Sequence, residues 1–281
     1  MRLLPDIITS RANPKIKWAA SLKSKKDRAL SRSFMAEGRK LCEEALSRGL
    51  PVTHIFVSEQ RYNDHKMLLG KFDGQELFSD TEVIVVSEEA FDKISTEKSP
   101  EGIITIIKYL DFLNITDIIY KEEFLKKTEK RALALCSVRD PGNLGAVIRS
   151  ATAFGVDCII LSEDCADVYN PRTVRASMGS LFGTEIAVVS DLCDFIRRAR
   201  EAGRRVFAAE LSEDALPLSD IAVRPDDIFV IGNEGHGIPE DVSDACESSV
   251  YIPISKKTES LNAAVAAAVF MWEQSKFNLS I

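Results

Sequence analysis

Three short stretches combine polar residues and glycines in a way that suits a reaction centre. In Arg139-Asp-Pro-Gly-Asn-Leu-Gly-Ala-Val-Ile-Arg149, Asn143 stands where it can cap a helix, Gly145 permits close approach, and Arg149 can grip phosphate as a planar fork. The amides of a helix start favour an anion at the same place. In Gly232-Asn-Glu-Gly-His-Gly-Ile-Pro239, three glycines within six residues let backbone come close to a ligand, and Glu234 supplies a carboxylate. His236 has the residue type of a general base, but in an open glycine loop it reads as solvent-facing and is left outside the site. In Ile252-Pro-Ile-Ser-Lys-Lys-Thr-Glu-Ser-Leu-Asn262, Ser260 and Asn262 either cap the alanine-rich helix that follows or meet a substrate. Taken singly, the first and third loops are explained equally well by a capped helix, and the second can also be a glycine-rich turn with an incidental Glu.

The elements that must carry these loops alternate. The spacing predicts strand Ala132–Val138, helix Leu144–Phe154 closed by Gly155, strand Val156–Ser162, helix Pro171–Phe182 and strand Thr184–Ser190. Helix Asp191–Ala202, strands Arg205–Leu211 and Asp227–Gly232, helix Pro239–Glu247, strand Ser249–Ile254 and helix Asn262–Phe277 follow. Valine- and isoleucine-rich strands separated by helices imply a parallel sheet covered on both faces. Ligands of such sheets bind beyond the strands' carboxyl ends, and all three loops follow strands. The first is not a dinucleotide fingerprint, because Gly-x-Gly-x-x-Gly is absent after its strand.

The first part of the chain reads as a separate small α/β domain, residues 1–109. Helical spacing covers Pro14–Leu30 and Ser33–Arg48, the second with Gly49 as its cap, and strands fall at His54–Ser58, Glu82–Ser87 and Gly102–Tyr109. Ser87 caps a short helix through Ile94. Periodicity fades over 110–131, where Lys121–Arg131 is almost all charge, so that stretch is read as a linker and 132–281 as the second domain.

The length of 281 residues supports two domains with cores of their own, and 45% hydrophobic with 28% charged residues excludes collagen-like and disordered classes. The apolar stretch Ala263–Trp272 is too short to span a bilayer, and Met1-Arg-Leu-Leu-Pro-Asp holds no apolar signal core, so the expected location is the cytoplasm. None of the six cysteines forms a Cys-x-x-Cys pair and there are only three histidines, so neither a metal site nor a disulfide framework is expected. The net charge of −7 argues against a nucleic-acid partner until its distribution is read. Residues 11–40 hold ten basic and two acidic side chains, a segment of +8 on a remainder of −15. A basic arm on an acidic body suits an anionic partner such as RNA, and a solvated face explains it equally well.

Order and content of the three loops together resemble the SpoU, or TrmH-like, family of RNA ribose methyltransferases. The family's Asn-x-Gly-x-x-x-Arg stands as Asn143-Leu-Gly145-Ala-Val-Ile-Arg149, its Gly-Asn-Glu-Gly-type loop as Gly232-Asn233-Glu234-Gly235, and its third motif as Ile252-Pro253 with Ser260-Leu261-Asn262. A looser resemblance links Asn13-Pro14, Glu37-Gly38-Arg39 and Glu43-Glu44-Ala45 to the ribosomal-protein-like substrate-binding domain of many members. The resemblance implies an α/β fold in which a knotted (trefoil) parallel-sheet methyltransferase domain follows a small α/β RNA-binding domain. It implies methyl transfer from S-adenosylmethionine to a ribose 2′-hydroxyl of RNA, with 23S rRNA favoured over tRNA, and a homodimer packed through the knotted domain. Gly232, Ile252 and Leu261 would line the cofactor pocket, and Asn143, Arg149, Glu234, Ser260 and Asn262 would form the polar reaction centre, without metal. The alternatives are a tRNA ribose methyltransferase and a non-catalytic RNA-binding protein of the same fold.

Overall fold

The computed structural model describes residues 1–111, 116–119, 125 and 130–276 of the chain. Most of the linker expected at 110–131, and the end of the last helix at Phe277, therefore lie outside the described residues. The chain divides into two compact units, residues 1–110 with 167–182, and 111–166 with 183–281.

The second unit is built on seven strands. They are β6 (Ala132–Leu135), β7 (Cys158–Ser162), β8 (Glu185–Val189), β9 (Val206–Ala209), β10 (Leu216–Pro217), β11 (Ile228–Ile231) and β12 (Ser248–Tyr251). Their order is β10-β12-β9-β11-β6-β7-β8 and every pairing is parallel. All residues of β6 and β11 are buried, which is why those strands read as unbroken apolar runs rather than alternating ones. Ala132, Ala134, Ile160, Phe195, Ile196, Val206, Ile228 and Val230 belong to the core cluster on one face. On the other, helix Ala263–Ser275 packs against helix Pro141–Phe154, with Phe154 edge-on to Trp272 and Phe270 against Phe229. The two-residue strand β10 carries no periodicity to betray it in sequence.

The expected caps need one correction. Asp140, not Asn143, caps helix Pro141–Phe154, its side chain accepting from the Asn143 amide at 2.9 Å while Pro141 occupies the first turn. Gly155 closes the helix with φ +68, as expected. Asn262 does cap the last helix, its oxygen accepting from the amides of Ala264 and Val265.

The first unit holds a mixed sheet, β1-β4-β3-β5-β2, of β1 (Arg2–Leu3), β2 (Ser33–Glu37), β3 (Val52–Ser58), β4 (Glu82–Val86) and β5 (Ile103–Lys108). Here two helix expectations fail. Pro14–Leu30 is two helices, Pro14–Ser21 and Lys25–Ser31, and the buried Arg28 satisfies the break by donating to the carbonyls of Leu22 and Lys23, both at 2.8 Å. Ser33–Glu37, expected as helix, is a fully buried strand antiparallel to β5, and the helix begins only at Arg39. Arg32 turns the chain through φ +46, after which Met35 enters the core on one face while Phe34 meets Tyr169 and Phe182, with ring centroids 4.6 and 6.4 Å away. Burial on both faces overrides the helical spacing.

That contact explains why Asp167–Phe182, expected from sequence in the second domain, groups with the first unit. Asp167 pairs with Arg28, Tyr169 stacks on Tyr109 at 4.1 Å, and the Tyr169 hydroxyl accepts from the Leu110 amide at 2.9 Å. The expected helix Pro171–Phe182 is a helix over Pro171–Ala176 and a 3-10 turn over Ser180–Phe182, separated by left-handed Met178 and Gly179.

Candidate active site

The three motif loops leave the carboxyl ends of β6, β11 and β12, neighbours or near neighbours in the parallel sheet. Because Asp140 takes the capping role, the side chain of Asn143 is released to the site. Its Nδ2 donates to Glu234 Oε1, and its Oδ1 accepts from Asn262 Nδ2 at 3.0 Å. One residue from each motif thus enters a single hydrogen-bonded chain, with Asn143 in the middle. The remaining Glu234 oxygen is available as an acceptor.

The glycine loop is braced from within. Asn233 and Gly237 exchange backbone hydrogen bonds at 3.0 and 2.9 Å, and Asn233 Oδ1 accepts from the amides of Gly235 and His236. Asn233 Nδ2 reaches across to the Ser137 carbonyl at 2.8 Å, tying this loop to the one after β6. A Cβ at Gly232 would sit 2.5 Å from the Gly237 carbonyl carbon, so the loop closes only if residue 232 has no side chain. His236 is exposed, its ring near Asn233 Oδ1 at 3.3 Å.

A second network supports the first. Ser137, left-handed at φ +56, donates its hydroxyl to Asp164 at 2.6 Å and its amide to Ser162 Oγ at 2.9 Å. Ser162 and Arg139 donate to the same carboxylate. The Ser137 hydroxyl, then Arg139 and Ser162, hold the Asp164 carboxyl down to about 2. Asp164 and Asp140 are missed by motif reasoning, and Asn233, though it stands in the second motif, is given no role by it. For Asp164 a signal existed, since it lies just past a strand end, at the sheet edge where such folds gather their functional polar residues.

Arg149 is exposed, and among the described residues it makes no ion pair. It lies six residues after Asn143, about 120° around the helix and about 9 Å along it, and is not joined to the Asn143 chain of bonds. Ser260 is also exposed and apart from that chain, its carbonyl accepting from Thr258 at 3.2 Å. Gly232, Ile252 and Leu261 are half-buried, the last two in segments without helix or strand of their own. Such backbone can offer amides and carbonyls to an adenosyl group, and Gly232 can offer nothing else, so the donor set fits that cofactor.

The model of the SpoU rRNA Methylase family matches residues 130–272, which contain all three loops. The chain belongs to the SpoU rRNA methylase family. A second model, the MRM3-like substrate binding domain, matches residues 13–105. The chain is similar to the 23S rRNA (guanosine(2553)-2′-O)-methyltransferase RlmP of Bacillus subtilis, 29% identical over 94% of this chain and 97% of that one. Among solved structures, an rRNA methyltransferase from Sinorhizobium meliloti matches with a TM-score of 0.80 and 30% identity over the full length of both chains. An AdoMet-bound rRNA methyltransferase from the same organism matches with a TM-score of 0.78 and 31% identity over 98% of this chain and 99% of that one.

The substrate-domain motif Glu37-Gly38-Arg39 of this SpoU chain also has a physical reading. Buried Glu37 accepts from Ser95 and from both the amide and hydroxyl of Thr96, pinning the loop before β5. Gly38, at φ +110, opens helix Arg39–Ser47, and Glu101 accepts from the Arg39 amide at 2.7 Å. The result is a cleft of about 710 Å³ lined by Arg39, Arg61, Asp64, His65, Ser99 and Glu101. Among the described residues no His, Cys, Asp and Glu group is placed to hold a metal ion, and no helix is long and apolar enough to cross a membrane. The six cysteines are free thiols, and burial pushes Cys136 up to about 11 and Cys42 up to about 12.

Proposed function

We propose that this chain is a cytoplasmic enzyme that methylates a ribose 2′-hydroxyl of 23S rRNA, using S-adenosylmethionine and acting as a homodimer packed through a knotted second unit. The observation that carries the reading is the bond chain Glu234–Asn143–Asn262, one residue from each family motif, at the carboxyl ends of parallel strands. Family membership supports the reaction class, and the names of similar enzymes support rRNA as the substrate. The chain's return from β11 to β12 beside β9, followed by a helix laid on Pro141–Phe154, is compatible with C-terminal threading.

When bound, the cofactor supplies an electrophilic methyl on a sulfonium. The chain's own task is to hold the ribose in line and to accommodate charge as the hydroxyl loses its proton. Glu234, braced by Asn143, presents one oxygen to the ribose hydroxyl. Asn262 and Ser260 complete the rim from the helix start. Arg149 anchors a neighbouring phosphate and stabilises the nascent alkoxide through its fork of donors; a guanidinium keeps its proton in almost any site, so it serves poorly as the base. Its exposure and lack of an internal ion pair leave those donors for substrate.

The test is label transfer from tritiated cofactor into total RNA of a cell lacking the protein, with the labelled nucleotide mapped. Label at an alkali-resistant 2′-O-methyl site in 23S rRNA is expected. Label confined to tRNA, to a base or to protein overturns the substrate assignment, and sedimentation as a monomer at micromolar concentration overturns the homodimer.

A further inference from the structure

Five arginines, Arg197, Arg198, Arg200, Arg204 and Arg205, fall within nine residues of a chain whose remainder outside 11–40 carries −15. Four of them line one cleft of about 450 Å³ in the second unit, together with Glu201 and Glu247; Arg198 is paired instead with Asp194. The four are bound to different extents. Arg205 is held by both oxygens of Asp227, at 2.8 and 2.7 Å, and Arg200 donates to the Ala245 carbonyl at 2.7 Å. Arg197 is exposed and makes no ion pair among the described residues.

Arg204 is the unusual member. It is 3% exposed, yet its guanidinium meets only backbone carbonyls, Asp226 O through Nε and Lys130 O through Nη2, each at 2.9 Å. Nη1 is buried without a hydrogen-bond partner, and no carboxylate among the described residues forms an ion pair with this side chain. Burial pulls its pKa below the usual arginine value. A buried cation whose hydrogen bonds all go to carbonyls, with the charges of Asp226, Asp227 and Asp157 near but not bonded to it and a donor left over, is costly to keep. An oxyanion in the cleft that Arg204 lines, beside Arg197, Arg200 and Arg205, would lower the cost of the buried charge.

We propose that this cleft binds a phosphate oxyanion, and that in the enzyme's complex with its substrate the oxyanion is a backbone phosphate of the RNA. The second clause rests on the RNA methylation reading above. The site is separate from the reaction centre. Arg204 and Arg205 precede β9, whereas the motif loops leave the opposite, carboxyl ends of strands running the same way. A strand of four residues separates those two edges by about 13 Å. The cleft therefore gives the acidic catalytic unit its own grip on the RNA, away from the ribose that reacts. Glu201 and Glu247 temper that grip, so removing one of their charges should strengthen it.

The test uses the full chain. Inorganic phosphate binding is measured by calorimetry for wild type, Arg197→Glu and Glu247→Gln, together with the salt dependence of binding to a 23S rRNA fragment and affinity for the cofactor. Both substituted positions lie at the surface of the cleft, so folding does not hinge on Arg204. Arg197→Glu should weaken phosphate at least about tenfold and Glu247→Gln should tighten it a few-fold, with cofactor affinity unchanged. The RNA salt slope should fall by about one for Arg197→Glu. Equal phosphate affinity in all three proteins overturns the site. Phosphate binding that follows the substitutions beside an unchanged RNA slope assigns the site to free phosphate and overturns the RNA clause. Phosphate binding that follows them in a protein that methylates no RNA upholds the cleft and overturns the functional reading instead.

Discussion

In the unit built on the parallel sheet, polar side chains at the strand ends bond mainly to one another. Asn143 joins Glu234 to Asn262, Asn233 joins its loop to Ser137, and Asp164 gathers Ser137, Ser162 and Arg139. In the unit built on the mixed sheet, basic side chains that look free in sequence are bonded to the protein itself. Arg28 is buried against Asp167, Lys15 pairs with Glu82, and Lys23 donates to the carbonyls of Lys93 and Ser95. The segment of +8 over residues 11–40 therefore overstates what RNA can meet: of its exposed remainder, Arg32 lies over the Tyr109 ring and Arg39 donates to the Asp64 carbonyl, which leaves Arg11, Lys17, Lys25, Lys26 and Lys40. A catalytic unit needs fixed geometry, which motifs encode. A binding surface needs only residual charge, which is visible after the fold has taken its share.

The broadest expected effect, on turnover and cofactor binding together, separates the two units most sharply. Gly232→Ala should lower methyl transfer at least about 100-fold and weaken cofactor binding with it, because overpacking against the Gly237 backbone forces the loop open. RNA affinity should stay within a few-fold. Wild-type kcat/KM in this variant would show that the loop has room the geometry denies.

Arg149→Ala should cost about 10²–10³ in turnover while cofactor affinity changes by only a few-fold, the pattern of a donor that acts on developing charge. Arg149→Lys should lose most activity as well, since a point charge cannot reproduce the fork. Steady-state kinetics with calorimetry checks both, and a Lys variant turning over like wild type would remove Arg149 from the centre.

Within the mixed-sheet unit, Arg28→Met should cost about 3–5 kcal/mol of stability in denaturant unfolding, because it leaves Asp167 without its buried partner. Lys25→Ala with Lys26→Ala, both at exposed positions, should change stability by no more than about 1 kcal/mol and lower the RNA salt slope by about two. A lysine pair that changes stability but not the slope would reverse their roles.

The smallest effect is acid stability. Asp164 titrates at about 2 in the fold, below an unfolded carboxyl near 4, so its contribution is present above about pH 4 and is lost as pH falls towards 2. Asp164→Asn should flatten that part of the stability curve, and an unaltered curve would mean that its hydroxyl and guanidinium partners favour neither protonation state.

Strand order apart, the parallel-sheet unit is legible in the sequence because its strands are continuous apolar runs and its loops carry types with few structural uses, such as Glu234 among glycines. Asn143 reads as the cap that Asp140 in fact provides, since both types cap helices and only geometry chooses between them. Ser33–Glu37 reads as helix because Phe34 and Met35 are buried on opposite faces, erasing the alternation that marks a strand. Asp167–Phe182 cannot be assigned to the first unit from sequence, because that depends on pairings with Phe34, Tyr109 and Arg28 more than 50 residues away. A truncation removing residues 1–109 would thus strip the cover from Tyr169 and Phe182, and point substitutions are the sounder probe.

The division of labour itself is tested most directly by one paired measurement on the full chain: cofactor affinity and RNA salt slope, side by side, for Gly232→Ala and for Lys25→Ala with Lys26→Ala. Crossed losses are expected, with cofactor binding failing at an unchanged slope in the first and a shallower slope at unchanged cofactor affinity in the second. Both quantities falling together in either protein would contradict it.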